Sequence, residues 1–364
     1  MSKKILFVID SLCSGGAQRQ LIELSLGIKK NNYHVEFLVY HDESFFQDIL
    51  DEEKILIKII SETSYIKRLI KMRKYIRSGG YYGVISFLQS PNIICELAGF
   101  PWRSWKLIVG ERSSNPNILK SPKLFVYRWF HLFATYIVSN SHSNLELVKK
   151  INPLLSNQKC KVLYNIIDFE KWKMHEKDIN YNRDLFTLVV VAGHHKNKNI
   201  HGLVEAVSLL TNLEQAKLRI EWYGDKRSFN MKSITEDISE KKLNSIFSFY
   251  PETKQIKEKM INADAIGLFS YYEGLPNVIC EGMALGRTVI CSNVSDIPKI
   301  LGQDSKYIFD PQRPESIKIV LSALLNMDKT ELLNNGLYNR HLASNHFNAN
   351  VIIGEYLRLL NNEI

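Results

Sequence analysis

The string Glu273-Gly274-Leu275-Pro276-Asn277-Val278-Ile279-Cys280-Glu281 sets two carboxylates eight positions apart around a turn and the start of a helix. Carboxylates accept hydrogen bonds from hydroxyls, and the N–H groups at a helix start attract anions. Hydroxyls beside a phosphate are what a sugar nucleotide presents, so this stretch is a candidate site for one. A second stretch, Gly193-His194-His195-Lys196-Asn197-Lys198-Asn199, places cations between a strand and a helix. An ammonium there, Lys198 first, can neutralise a leaving diphosphate. Taken singly, each stretch is equally an ordinary turn with solvated charges.

Three further stretches follow strands in the first half. Ser14-Gly15-Gly16-Ala17 lets backbone approach a substrate closely, and it is not the G-x-G-x-x-G of a dinucleotide fold. Glu111-Arg112-Ser113 puts a permanent cation at a strand end, fit to bind a sugar hydroxyl or phosphate but not to shuttle protons. Ser139-Asn140-Ser141 reads first as a helix N-cap.

These groups need a scaffold that delivers them from separate loops. Strands over 5–9, 35–40, 83–87, 107–109, 136–139 and 161–164 alternate with helices such as 17–30 and 66–77. That alternation predicts a mostly parallel sheet wrapped by helices. Lys171 to Asp184 is polar and reads as a linker, after which the pattern restarts. The second series has strands over 185–191, 218–223, 265–269 and 288–291, with a helix over 200–210. Gly286 is placed to stop the helix that carries Glu281. Two doubly wound domains are expected, 1–168 and 183–345, with ligands at the carboxyl ends of their strands.

The totals bound the class. A chain of 364 residues, 45% hydrophobic and 23% charged, suits two globular domains. Its longest apolar runs fall far short of the roughly 20 residues of a membrane span. The start, Met1-Ser2-Lys3-Lys4 running into Ile5, lacks a signal peptide's apolar core, so a cytoplasmic protein is expected. Five scattered cysteines without a C-x-x-C pair argue for buried thiols rather than disulfides or zinc. No Asp-x-Asp occurs, so a metal held by carboxylates is unsupported. Residues 1–165 hold 23 Lys+Arg against 13 Asp+Glu, whereas the remainder holds 24 against 25. A basic first half suits an anionic membrane surface or a phosphorylated acceptor. Nucleic acid is not expected, because no recognised binding motif accompanies the charge. The helix over 66–77, with six Lys+Arg among Leu69, Ile70, Met72 and Ile76, suits either a membrane surface or a core it simply covers.

The Glu273–Glu281 string resembles the Glu-x7-Glu motif of the retaining glycosyltransferase family 4. The resemblance spans nearly the whole chain, strongest over 263–301 and weakest over 42–80 and 225–250. It implies the GT-B fold: two Rossmann-like domains facing a cleft, with the C-terminal helix, 348–364, returning to the first. It further implies sugar transfer with retention from a nucleotide-sugar donor, uridine-linked by family habit, with no metal required. The acceptor implied is a glycan or a polyprenyl-diphosphate-linked oligosaccharide, as in bacterial O-antigen or capsule assembly at the cytoplasmic face. By this resemblance Glu281 binds the ribose and Glu273 the donor sugar. Gly274, Leu275, Pro276 and Asn277 lie along the diphosphate and sugar, while Lys198 holds the phosphates. Gly15 and Gly16 match the family's Gly-Gly turn near the transferred sugar. The chain departs from the family where its Gly-Arg stands: His194 takes the arginine's place, with Lys196 as a substitute. It departs again at Arg112, where relatives carry a histidine, and at Ile166 in Tyr164-Asn165-Ile166-Ile167-Asp168, a hinge-like stretch. The rival reading is a non-catalytic partner that binds nucleotide or glycan.

Overall fold

The computed structural model describes residues 3–43, 45–173, 185–225 and 231–363. It divides into two compact units, residues 1–166 with 348–364, and residues 167–347. Most of the polar stretch expected as a linker, Lys171 to Asp184, lies outside the described residues.

The first unit runs β1 (Lys4–Val8), α1 (Gly16–Lys30), β2 (His34–Val39), α2 (Gln47–Glu52), β3 (Leu56–Ile59), α3 (Tyr65–Ser78), β4 (Gly83–Phe87), α4 (Gln89–Gly99), β5 (Lys106–Glu111), α5 (Pro122–Trp129), β6 (Tyr136–Ser139), α6 (His142–Ile151) and β7 (Cys160–Val162). Its sheet has the order β3-β2-β1-β4-β5-β6-β7, and every pairing is parallel, as in Ile5 with Val35 and with Gly83. The order reverses between β1 and β4, which opens a crevice at their carboxyl ends. The central strands β1, β4 and β5 are buried along nearly their whole length because helices cover both faces.

The second unit repeats the plan with β8 (Phe186–Val191), α7 (Ile200–Ser208), α8 (Asn212–Lys217), β9 (Leu218–Tyr223), α9 (Met231–Glu240), β10 (Phe247–Tyr250), α10 (Ile256–Ile261), β11 (Ala265–Leu268), α11 (Asn277–Ala284), β12 (Thr288–Ser292), α12 (Ile297–Leu301), β13 (Ile308–Phe309), α13 (Pro314–Leu325) and α14 (Lys329–His346). Its order is β10-β9-β8-β11-β12-β13, again parallel, and the reversal falls between β8 and β11. Those two strands carry the loops with Lys198 and Glu273.

The last helix, α15 (Ala349–Asn361), returns to the first unit. Ile352, Ile353, Tyr356, Leu359 and Leu360 join Ile5, Leu21, Leu24 and Ile28 in one core. Edge elements differ most from the sequence expectation. α2, β3, β10 and β13 were not anticipated, because β13 has two residues and β3 leaves Leu56 56% exposed, so neither forms a long apolar run. Of the cysteines, Cys95, Cys160, Cys280 and Cys291 are buried thiols.

Leu360 is wholly buried, so Leu360→Ala should lower unfolding free energy by about 2–5 kcal/mol, the range for a large-to-small change in a packed core. Urea denaturation followed by fluorescence checks it; a change within error would mean that α15 adds little to this core.

Candidate functional site

The β11–α11 turn is held from several sides. Pro276 sits at the N-cap of α11, one position earlier than a first-turn proline, with φ −75°. At the other end Gly286 takes φ 66°; its N–H reaches the Met283 carbonyl and that of Arg287 reaches Gly282, a closing motif that needs left-handed backbone. The Ser295 hydroxyl donates to the Gly274 carbonyl, and Gly274, Leu275 and Pro276 are buried while Asn277 is half-buried. Glu281, one helical turn into α11, is 3% exposed.

The β8–α7 loop crosses to this turn through Asn197. The Asn197 side chain donates to the Tyr272 carbonyl at 2.9 Å, and the Tyr271 N–H donates to the Asn197 carbonyl at 2.9 Å. The neighbouring Asn199 adopts the left-handed region (φ 56°), caps α7 by accepting from Gly202, and donates to the Pro311 carbonyl at 2.8 Å. Asparagine tolerates that backbone better than most residues. Lys198, fixed between the two, places its ammonium 2.5 Å from Glu273 Oε1, with side-chain exposures of 21% and 16%. Two of the three groups singled out from sequence are thus brought into contact by a residue that sequence reading passed over. Asn197 Oδ1 and Ser270 Oγ, both buried, find no hydrogen-bond partner among the described residues. Buried polar atoms without partners are uncommon, and here they lie on the loops that carry the ion pair.

His194 corrects an expectation. It is wholly buried, its backbone N–H and ring Nδ1 both donating to the Asp225 carbonyl at 2.9 and 2.8 Å. Its ring lies 6.2 Å from that of Trp222 and 5.7 Å from that of Phe249. The imidazole therefore packs against aromatic rings rather than projecting from the loop as a phosphate-binding cation would. Lys196 is exposed.

Gly15, Gly16 and Arg112 belong to the first unit. Gly15 precedes α1, and a Cβ there would strike the carboxamide of Gln18, which itself donates to Asp10 at 3.0 Å. Arg112 is committed structurally: it donates to the Tyr356 hydroxyl at 2.8 Å and to Asn165 at 3.4 Å, and its guanidinium lies 3.8 Å from the Phe87 ring centroid. Burial draws its affinity for the proton below the usual arginine range. Ser141, as expected, caps α6 by accepting from Asn144 at 3.2 Å.

Arg112 also lines a pocket of about 260 Å³ with Asp10, Tyr40, Gln89, Ser90 and Glu111, at the carboxyl ends of β1, β4 and β5. Beyond the Glu111-Arg112-Ser113 stretch, nothing local in the sequence pointed to it. Leu88, on its wall, has φ 74°, a strained conformation for a leucine that costs about 1–3 kcal/mol and tends to mark functional turns. Burial pushes the Asp10 carboxyl up from its ordinary value.

Behind the pocket Glu111 belongs to a buried chain of charges. Glu96 meets His131 Nδ1 at 2.6 Å, His131 Nε2 meets Glu111 at 3.0 Å, and Arg128 donates to Glu111 at 3.0 Å. Burial pushes the Glu96 carboxyl up, and a carboxylate facing each ring nitrogen favours the doubly protonated imidazole. Burial alone would lower its pKa, but Glu96 and Glu111 outweigh that and raise it to about 9.

Comparisons with known proteins bear on the fold and the family. Residues 170–336 match the family model described as glycosyl transferases group 1. The chain is 27% identical to the Campylobacter jejuni N-acetylgalactosamine-N,N'-diacetylbacillosaminyl-diphospho-undecaprenol 4-alpha-N-acetylgalactosaminyltransferase, covering 83% of this chain and 84% of that one. It is 26% identical to another enzyme of that organism, an alpha-1,4-N-acetyl-D-galactosaminyltransferase acting on GalNAc-alpha-(1->4)-GalNAc-alpha-(1->3)-diNAcBac-PP-undecaprenol, covering 83% and 82%. Among solved structures, Anabaena HepE in complex with UDP and glucose superposes with a TM-score of 0.86 at 17% identity, over 99% of this chain and 100% of that one. Sucrose-phosphate synthase from Thermosynechococcus elongatus superposes with a TM-score of 0.83 at 14% identity, over 99% of both.

The buried chain of charges makes stability depend on pH. A raised histidine pKa means that stability from His131 is complete below its ordinary 6.5 and is lost as pH rises through about 9. Urea unfolding across that window should show wild-type stability falling more steeply than that of His131→Gln; parallel curves would show that the imidazole does not titrate there. On the sheet order, the superpositions and the family match together, the chain has the doubly wound domains of the GT-B fold, and its second unit matches the glycosyl transferases group 1.

Proposed function

We propose that the protein is a retaining glycosyltransferase of family 4. In this reading it moves a hexose or N-acetylhexosamine from a nucleotide diphosphate, uridine-linked, to a glycan carried on a polyprenyl diphosphate, in the assembly of a bacterial surface polysaccharide. The observation that carries the proposal is the Lys198–Glu273 contact of 2.5 Å at the reversal point of the second sheet, on the loops beside the helix that bears Glu281.

Before the donor arrives, Lys198 and Glu273 neutralise one another. An incoming diphosphate offers the ammonium a stronger partner, which releases the Glu273 carboxylate to accept from the donor sugar's hydroxyls. Glu281 accepts from the ribose. As the bond from the anomeric carbon breaks, the electron pair leaves with the diphosphate. The charge that develops there meets Lys198 and the N–H groups near the start of α11, fixed in place beforehand. The acceptor hydroxyl attacks on the face the diphosphate leaves and gives its proton to the departing diphosphate oxygen, which yields retention. Lys198 and these N–H groups supply the positive charge, and no metal is required. On the first unit, the pocket beside Asp10 and Arg112 receives the acceptor sugar.

Two lines of support bear on the chemistry of the partners. Both Campylobacter relatives are named as N-acetylgalactosaminyltransferases acting on undecaprenol diphosphate-linked glycans. A neighbour of the same fold, HepE, is described with UDP and glucose.

Lys198→Ala and Glu281→Ala should each lower kcat/KM by about 100- to 1000-fold, as the loss of a charge-stabilising contact does. Purified protein offered a panel of nucleotide sugars and a polyprenyl-diphosphate acceptor, with product read by mass spectrometry, checks this. Transfer should persist in excess EDTA. Near-wild-type turnover in both variants would overturn the site, and loss of turnover on chelation would overturn the metal-free mechanism.

A further inference from the structure

The first unit carries a surface that the proposed reaction does not use. Residues 63–133 hold twelve Lys+Arg and two acids, Glu96 and Glu111. Both acids are buried, at 0% and 3% exposure, in the charge chain with His131 and Arg128. The outside of this segment therefore presents cations and no carboxylate of its own, although Glu62, just before it, pairs with Lys71. The same segment is unusually apolar on its surface. Of the 22 large hydrophobic side chains exposed among the described residues, eleven lie between Tyr65 and Phe133, in about a fifth of the chain.

These side chains belong to packed neighbours. α3 packs on α4, and α4 packs on α5 and on the 3₁₀ turn Phe130–Phe133 that follows it. Arg73 donates to the carbonyls of Leu97, Ala98 and Phe100, and Arg77 to those of Ala98 and Trp102, so α3 is tied to the end of α4 and the loop beyond it. The ring of Phe100 stands 5.2 Å from that of Phe133. Ile66, Ile70, Phe100, Trp102, Phe125 and Trp129 consequently stand on one joined set of elements, with Trp102 74% exposed.

α3 answers the question its sequence left open by doing both things. It buries Met72 and Ile76 in the core and leaves Ile66 and Ile70 exposed at 67% and 60%. Its arginines are not the charged face, since Arg73 and Arg77 serve α4 and Arg68 stacks 4.3 Å from the centroid of Tyr40. Apart from Arg77, whose guanidinium is bonded to α4 and the loop beyond it, the exposed cations are lysines: Lys67, Lys71 and Lys74 on α3, Lys120 just before α5 and Lys123 in its first turn.

We propose that this face docks on an anionic lipid bilayer. The aromatic and aliphatic side chains enter the boundary between headgroups and acyl chains, and the lysines meet lipid phosphates. Among the described residues no helix is long and apolar enough to cross a membrane, so contact is made in the plane of the surface. The charge complementarity selects lipid over a neutral protein partner. The face also borders the pocket: Tyr40 lines it and stacks with Arg68, which lies 5.3 Å from the ring of Tyr65. Glu111 lines it too, held by Arg128 of α5. Docking here would bring the pocket to the bilayer. That deepens the proposed function and rests on it for the lipid-borne acceptor, whereas the binding itself does not.

The test uses the full chain and vesicles of phosphatidylglycerol with phosphatidylethanolamine, against phosphatidylcholine alone, read by co-sedimentation and by quenching of tryptophan fluorescence with brominated lipid. The wild type should partition to the anionic vesicles at least about tenfold better and lose that preference as salt is raised. Ile66→Ser, Ile70→Ser, Trp102→Ser and Phe125→Ser combined should lower partition about tenfold or more on both vesicle types. Lys67→Gln, Lys71→Gln, Lys74→Gln and Lys123→Gln combined should abolish the anionic preference. Thermal unfolding of both variants at the wild-type midpoint confirms that the face and not the fold was changed. Three outcomes would overturn the proposal: no anionic preference in the wild type, variants that bind as well as it does, or a concentration-dependent dimer that the apolar variant dissolves. Turnover on a soluble acceptor separates the two readings. Wild-type protein that turns over a soluble acceptor yet does not bind vesicles overturns docking alone, and wild-type protein that binds vesicles without turnover overturns the proposed reaction alone.

Discussion

An ammonium and a carboxylate 2.5 Å apart, each about a fifth exposed, depend on everything around them for that geometry. Lysine is long and loses much rotamer freedom when held, and an ion pair open to water gains little in return. The pair persists because the two loops are joined elsewhere: Asn197 fastens one to Tyr271 and Tyr272, Asn199 fixes the start of α7, and Ser295 holds the Gly274 carbonyl. The sheet then sets the distance between the loops, since β8 and β11 are direct neighbours at the reversal of strand order. A diphosphate entering such a site meets a cation already oriented, and orientation fixed in advance is the larger part of electrostatic stabilisation.

The first unit solves a different problem with the same architecture. Its reversal point, between β1 and β4, opens a pocket in place of an ion pair, and the strained Leu88 backbone lies on that wall. The charges lie behind the wall, where Glu96, His131, Glu111 and Arg128 satisfy one another away from water. A buried charge is tolerated when it is paired and hydrogen-bonded, and here the pairing also joins α4, β5, α5 and the 3₁₀ turn after it. The acids of that segment are used inside, which leaves its outer surface to lysines and exposed apolar side chains. Arg112 acts in the same manner, spending its donors on Tyr356 and Asn165 and thereby fastening α15 to the unit it returns to.

Period and composition were enough to establish two rounds of alternating strand and helix, the turn through Gly274 and Pro276, and the glycine stop at Gly286. Those features are local: an apolar run, a fixed φ and a left-handed residue each act within a few positions. The return of the last helix was legible only through family resemblance, and the apolar stripe of Tyr356, Leu359 and Leu360 is consistent with it. Tertiary structure decided the rest. His194 could be read as a cation until Asp225, Trp222 and Phe249 enclosed it, and those partners are remote in sequence. Asn197 carried no motif, because its importance lies in two carbonyl and N–H groups some 75 positions away. Which arginines of the basic half were spent indoors and which lysines were left outside could not be counted from charge alone, since burial is settled by what packs against each side chain.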